Sequence, residues 1–442
     1  MSDAEIVREL ALPLSGAPND YDELLELIGG ARIVLLGEAS HGTHEFYFER
    51  AEITKRLIAE KNFTVVAIEA DWPDASRVHR YARDASEDGN ADEALSGFHR
   101  FPTWMWRNTV VVEFVEWLRE FNRRADPKRA KAGFYGMDLY SLHASIEAVL
   151  EYLQKVDPDA AARAKLRYSC FDHFSREPQE YGYAATVGAA ESCESAVVAQ
   201  LVDLQGQASD FLSRDGAVAK EELFFAQQNA RLVKNAEEYY RCMFRGRASS
   251  WNLRDRHMAE TIEALVAHLN GSRRPKAIVW AHNSHLGDAR ATEMSQRREL
   301  NVGQLIRERF GSEAVLVGFT TYRGTVTAAS DWGAIAERKN VRPALPGSYE
   351  EFFHELGLDR FWIDLHDIGE KVVSALDGPR LERAIGVIYR PESERLSHYF
   401  HAQLPKQFDA IIHIDETRAL EPLEPTSVWD KGELPETYPF KV

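Results

Sequence analysis

Residues 33–50 read IVLLGEASHGTHEFYFER, and this stretch decides the fold. Ile33 to Leu36 form an unbroken apolar run, the pattern of a strand buried on both faces. Gly37 to Thr43 supply a glycine-bounded loop. From Glu45 to Lys61 the period becomes helical, with Phe46, Arg50, Ile53 and Leu57 on one side and Glu45, Glu52 and Lys55 on the other. Strand, short loop and helix in that order open a parallel α/β unit.

Similar short runs recur at Val65 to Ile68, Gly133 to Met137, Ile278 to Trp280, Val315 to Phe319, Ile385 to Tyr389 and Ile411 to Ile414. Helix-length segments such as Thr109 to Asn122 lie between the early ones, so the strands are expected to run parallel through helical crossovers. Strand signals stop from Ser141 to Leu269, where Ala, Glu and Gln dominate, and Gly271 to Pro275 mark the return to the sheet. The expected fold class is therefore α/β: a mostly parallel central sheet flanked by helices, with a large all-helical insertion. Residues 1–140 and 270–442 would form a discontinuous core, and 141–269 the insertion, a cleft wall or lid. Residues 421–442 carry several prolines and are expected to wrap the surface.

Bulk properties bound the partners. A formal charge of −17 argues against sequence-independent nucleic-acid binding, which needs clustered Lys and Arg. No window approaches the roughly 20 apolar residues of a membrane-crossing helix. The start, MSDAEIVRELALPLSG, lacks the pattern of a signal peptide. Cys170, Cys193 and Cys242 form no CxxC pair and are odd in number, which fits packing residues in a reducing compartment. The expectation is a cytoplasmic protein acting on a small molecule, with no nucleic-acid or membrane partner.

Ionisable residues fall where predicted strands end: Glu38, Glu69, Asp138, His282 and Asp415. Ligands of open α/β sheets bind at the carboxyl ends of the strands, so this placement marks a candidate site. One acid there is ordinarily a turn or cap residue. Several together carry more weight. Glu38 three residues before His41 can fix the tautomer of a general base, and the two glycines of the loop allow close backbone approach to a ligand. Arg50 on an apolar helix face needs a buried partner, Glu38 or Glu69, because an unpaired buried charge costs several kcal/mol. His282 and His285 can polarise a carbonyl, stabilise an oxyanion or protonate a leaving group.

Ser284 as a nucleophile is disfavoured because His282 and Leu286 stand where G-x-S-x-G has glycines. Glu38, Glu69, His41, His282 and His285 include the ligand types of zinc or iron, but an arginine beside the carboxylates competes with a dication, so a metal-free site is preferred. No P-loop or G-x-G-x-x-G follows a strand, so no nucleotide cofactor is expected. Trp72, Trp104 and Trp106 are candidate walls for a bulky ligand, with Asp138 as a polar contact. His79, His99, His143, His173, His257 and His354 read as core or surface residues.

The chain resembles the erythromycin esterase family. The resemblance runs through VLLGEASHGTHEFYFER (34–50), AIEADWPD (67–74), FPTWMW (101–106), YGMDLYS (135–141), WNLRDRHM (251–258), WAHNSH (280–285) and HYFHAQLPKQFDAIIHID (398–415). It implies a metal-independent, cofactor-free hydrolase that opens a macrolide lactone by water attack without a covalent intermediate, a chemistry of antibiotic resistance. Its catalytic positions fall on Glu38, His41, Arg50, Glu69, His282 and His285. By that likeness His41 activates water, Glu38 and Glu69 orient or charge the base, Arg50 orders the carboxylates, and His282 or His285 assists at the carbonyl or leaving oxygen. Two alternatives stand beside it: a metal-dependent hydrolase using the same cluster, and a small-molecule binding or stress-related protein without turnover.

Overall fold

The structure, a computed structural model, describes residues 2–172, 174, 178–215, 219–244, 246–269, 274–366, 375–376 and 378–432. His173, Gly271 to Arg273 and residues 433–442 of the expected tail lie outside the described residues.

Eleven strands are described: β1 (Leu12–Pro13), β2 (Ile33–Leu36), β3 (Val65–Asp71), β4 (Gly133–Asp138), β5 (Ala277–Trp280), β6 (Ala314–Ala328), β7 (Glu337–Val341), β8 (Arg360–Asp364), β9 (Arg380–Arg383), β10 (Tyr399–Ala402) and β11 (Ala410–Thr417). Nine form one sheet in the order β1-β8-β11-β6-β2-β5-β3-β4, with β7 paired to β6. Every pair from β11 to β4 is parallel. Within this sheet antiparallel pairing is confined to β1–β8, β8–β11 and β6–β7, and β9 and β10 pair antiparallel as a separate two-stranded sheet. The chain is α/β with a mostly parallel central sheet.

Alternation along the central strands explains their all-apolar composition. Val34, Leu36, Ile278 and Trp280 face a layer holding the helices Asp22–Ile28, His44–Lys61 and Thr109–Arg124. Ile33, Leu35, Ala277 and Val279 face the opposite way, into one apolar cluster with side chains of the helices Leu142–Val156, Ala219–Cys242 and Arg247–His268. A strand covered on both sides keeps no polar face. Full burial of each such Val or Ile contributes roughly 1.5–3 kcal/mol.

Between β4 and β5 the described elements are all helices. Their apolar residues are continuous with those of the sheet face beneath them. Within this block Cys170 and Cys193 are joined by a disulfide, a correction to the reading of all cysteines as separate packing residues. The turn after the helix Pro158–Tyr168 and the start of the helix Glu194–Gly206 bring their Cα atoms to 5.9 Å, a proximity that composition does not reveal.

Ile385 to Tyr389 is not a strand. It makes single bridges, Ile385 with Ser40 and Ile388 with Ala329, instead of a ladder. Its hydrogen bonds go to loops at the sheet edge, from Ile385 N–H to the Ala39 carbonyl (2.8 Å) and from Ala329 N–H to the Val387 carbonyl (2.9 Å). An apolar run wedged between loops has the same composition as a buried strand.

Candidate active site

The loop after β2 is held by packing that excludes side chains. A Cβ on Gly37 would lie 2.1 Å from Asn283 Oδ1, and one on Gly42 1.8 Å from the Thr327 carbonyl oxygen. The glycines thus admit other parts of this chain, not a ligand as the sequence suggested. Asn283, just past β5, donates from its side chain to the Phe319 carbonyl within β6 (2.7 Å), while its N–H donates to the Glu38 carbonyl after β2 (2.8 Å). The Glu38 and His282 loops therefore share one fixed register.

Glu38 is 1% exposed and lies between two partners. Arg50 Nη2 donates to Glu38 Oε2 at 2.6 Å, and His41 Nδ1 meets Glu38 Oε1 at 2.9 Å. Of the two acids offered as Arg50's partner, Glu38 is the one bonded. The guanidinium also sits 4.4 Å from the Tyr47 ring centre and 5.2 Å from that of Trp280, whose π faces favour a cation. With Nδ1 committed to the carboxylate, His41 keeps its Nε2 lone pair for the cavity that it lines.

A second cluster lies across that cavity. His285 Nδ1 meets Asp255 Oδ1 at 2.8 Å, its Nε2 is 3.4 Å from Glu69 Oε1, and its ring stacks on Trp251 with centres 4.5 Å apart. Arg254 donates to Asp138 through Nε (2.9 Å) and Nη2 (2.7 Å) and to Glu69 Oε1 (2.7 Å), and its Nη1 lies 3.1 Å from His285 Nε2. Burial alone would raise the Glu69 carboxyl, but His285, His41, Arg254 and the His282 N–H outweigh it and hold the acid well below its usual range. Burial works against the His285 imidazolium too, yet Asp255 and Glu69 prevail and raise its pKa.

His282 differs from both. Burial, with help from His41, depresses its pKa to about 3, so it stays neutral. Its Nδ1 accepts from the Ser284 N–H (3.2 Å), which leaves the proton on Nε2, a buried atom without a protein hydrogen-bond partner. Ser284 Oγ is bonded to the same Nδ1 at 2.9 Å, a local contact of the turn.

These groups border one cavity of about 440 Å³. His41, Glu69, His282, His285, Asp138 and Trp106 line it, whereas Glu38 and Arg50 stand behind His41. Trp72 and Trp104 do not line it. Trp72 packs on Tyr135 and Phe225, and Trp104 on Phe101, each 2% exposed, because both rings turn into the apolar core. Trp106 also donates from Nε1 to the Glu69 carbonyl at 3.2 Å. Asp415 lies apart: it bonds His354 at 2.7 Å, and β6 separates its strand from β2. His354 is thereby paired, as is His79 with Glu221 at 3.1 Å.

Arg254 and Asp255 were missed in the sequence, although a signal was present. They interrupt the inward stripe Met258, Ile262 and Leu265 of their helix, as Arg50 interrupts its own. Among the described residues no group of three or more His, Cys, Asp or Glu is disposed to hold a metal ion. Glu38 and Glu69 instead each carry an arginine. No described helix is long and apolar enough to cross a membrane.

The chain matches the family model "Erythromycin esterase" over residues 58–417. Glu38, His41 and Arg50 precede that segment and rest on the geometry above. Erythromycin esterase type II of Escherichia coli is 22% identical over 421 residues, covering 91% of this chain and 94% of that protein. A Bacillus cereus protein of known crystal structure superposes with a TM-score of 0.75 at 23% identity, covering 96% of this chain and 98% of that one. A mutant of the erythromycin esterase EreC in its open conformation gives 0.67 at 18% identity, with 92% and 96% covered. Through a family match spanning most of its length, the chain belongs to the erythromycin esterase family, a family of hydrolases.

Proposed function

We propose that this hydrolase cleaves a carboxylic ester, a macrolide lactone among the candidates, by direct attack of a water activated at His41. The observation that carries the reading is the pair of histidine–carboxylate dyads, Glu38–His41 and Asp255–His285, bordering a single cavity. His41 Nε2 takes a proton from water as the water oxygen bonds to the carbonyl carbon. Glu38, held by Arg50, stabilises the imidazolium so formed. The neutral His282 Nε2–H donates to the developing oxyanion. As the tetrahedral centre collapses, the bond from carbon to the ester oxygen breaks, and His285 gives that oxygen its proton. The acid product and the alcohol leave, and solvent exchange returns His41 and His285 to their starting states. Within the lining, Glu69 keeps Arg254 and His285 in place, and Trp106 and Asp138 border the substrate.

No step requires a metal or cofactor, and what supports a metal-free site is the arginine on each central carboxylate. The helical block 141–269 supplies Arg254 and Asp255, which supports its assignment as one wall of the cleft. The test is a screen of macrolides of several ring sizes beside simple aryl esters, followed by mass spectrometry. The expected product is the substrate plus one water for a lactone, or separate acid and alcohol for an open ester. Turnover that needs added metal and stops with a chelator would replace this mechanism.

A further inference from the structure

Next to Asn283, which couples the Glu38 and His282 loops, lies a carboxyl that the proposed chemistry does not use. Glu382, on β9, is fully buried, and both its oxygens are without a hydrogen-bond partner among the described residues. The groups that face it are the amides of Asn283 and Gln407 and the carboxyl of Glu350, on the helix Tyr349–His354. No cation is among them. On the partner strand β10, Phe400 stands opposite. Arg383 follows Glu382 in the strand, where successive side chains take opposite faces, and it spends its guanidinium on Glu394 and on the carbonyls of Tyr322 and Arg342.

An ionised carboxylate without a cation is costly in such a place, and a second acid beside it adds to the cost. Glu350 is already committed, its Oε1 accepting from the Arg383 N–H at 2.8 Å. Gln407 Oε1 is a buried acceptor without a donor. One proton on Glu382 removes the charge and supplies that donor. Burial first, and then Glu350, push the Glu382 carboxyl up to about 8.

The position of Glu382 gives this proton a route to the site. Asn283 is fully buried, accepting on Oδ1 from the Phe319 N–H (3.3 Å) and giving one Nδ2 hydrogen to the Phe319 carbonyl (2.7 Å), so its second Nδ2 hydrogen is left for Glu382. The chain after β9 also runs into Ile385, whose carbonyl accepts from the His41 N–H at 3.3 Å.

We propose that Glu382 is a positioning residue that works as a neutral acid: it braces Asn283, and through it the Glu38 and His282 loops, and loss of its proton to solvent switches the site off. The carbonyl oxygen of the neutral acid accepts from Asn283, and its O–H donates to Gln407 Oε1. The effect on turnover rests on the function proposed above; the proton and the brace do not.

The experiment compares the full-length protein with Glu382→Gln, which keeps the shape of the neutral acid and cannot ionise. The folded chain holds a proton that unfolded Glu382 releases above about pH 4.5, so this group's stabilisation declines as pH rises towards 8. In urea titrations the ratio of the two unfolding constants should therefore change about tenfold per pH unit between about pH 5 and 8, in favour of the variant, with Glu350 present in both. A constant ratio, or a Gln variant that does not fold, overturns the proposal. The brace is read from the Cε1–H signal of His282 in protein carrying 13C-labelled histidine, assigned by its absence in His282→Gln. A pKa of about 3 keeps this ring neutral, so its movement at higher pH comes from its surroundings. The unaltered protein should show a transition centred near pH 8 that the Gln variant lacks; the same response in both proteins overturns the positioning role. With phenyl acetate as substrate, the kcat of the variant relative to the unaltered protein should rise from near one at pH 7 to about tenfold at pH 9, and a flat ratio overturns the switch. The Gln variant also isolates the part of the alkaline limb that belongs to His285. Absence of ester hydrolysis at any pH sinks the esterase reading alone, and the unfolding and resonance results then judge the proton and the brace.

Discussion

His41 and His285 each present an imidazole to the same cavity, and each has a carboxylate on Nδ1, but they are assembled differently. Glu38, His41 and Arg50 lie within 13 consecutive positions, on one loop and the helix that follows it. The His285 cluster draws Asp255 and Arg254 from a helix 30 residues away in sequence and Glu69 from a strand 213 residues before His282. The local dyad has one cation on its carboxylate and an Nε2 that faces open space. The dispersed one is crowded by Arg254 on the nitrogen that would donate. In the mechanism proposed above, the local motif would serve as the base, and the dispersed network as an acid whose proton is held by several competing charges.

The sharpest way to break this division is His41→Ala. Hydrolysis should fall about 10³-fold or more, near the upper range for a general base, with the thermal midpoint nearly unchanged. Activity that survives the substitution would remove the base from His41. Arg50→Met should instead act on the fold. It strips the buried Glu38 of its guanidinium and leaves only His41 beside it, a loss of about 3–5 kcal/mol measurable by denaturant unfolding, and Glu38→Gln in the same protein should recover part of it.

Asp255→Asn probes the other dyad. Asp255 positions His285 and does not meet substrate, so kcat should fall by only about 10- to 100-fold. The telling readout is the pH profile. Because Asp255 raises the His285 pKa, its loss should move the alkaline, descending limb of kcat to lower pH. An unshifted limb would separate His285 from the acid role.

His282 yields a smaller, purely pH-linked effect. Its folded pKa of about 3 lies below the ordinary value near 6.5, so the unfolded chain binds a proton that the folded chain refuses. Stability should therefore decline on acidification from about pH 6.5 towards 3, and His282→Gln should flatten that slope in urea titrations at successive pH values. His285, with its pKa raised, contributes in the opposite sense: its stabilisation is present below the unfolded value and is lost as pH rises through the folded one. Trp332→Ala, at a 63% exposed residue on the cavity lining, should change KM by no more than a few-fold and leave kcat alone.

The unequal assembly also explains how much could be read from the chain. The apolar runs at Ile33, Val65, Gly133, Ile278 and Ile411 became strands because each lies between two covering layers, a condition written directly into composition. Glu38, His41 and the inward Arg50 were legible because their spacing is local. Glu69, Asp138, His282 and His285 were legible as strand-end residues, but their partners were not, since pairing depends on sheet order. Asp415 failed for that reason: it ends on the same edge, one strand too far from the cavity. Trp72 and Trp104 failed because a tryptophan near a site has two faces to choose from, and sequence does not give the choice. Ile385 to Tyr389 failed because burial alone does not make a ladder.

The helix Arg247–His268 has a consequence for how such proteins can be recombined. It belongs to the run of helices between β4 and β5, which by chain order looks like a cassette that could be exchanged whole. Yet this helix carries the guanidinium that ties Asp138 on β4 to Glu69 on β3, and the aspartate that holds His285 after β5. Any swap of the block must therefore bring an equivalent arginine and aspartate at the same height above the sheet. Inheritance should keep this helix with the strands and confine exchange to the helices before it.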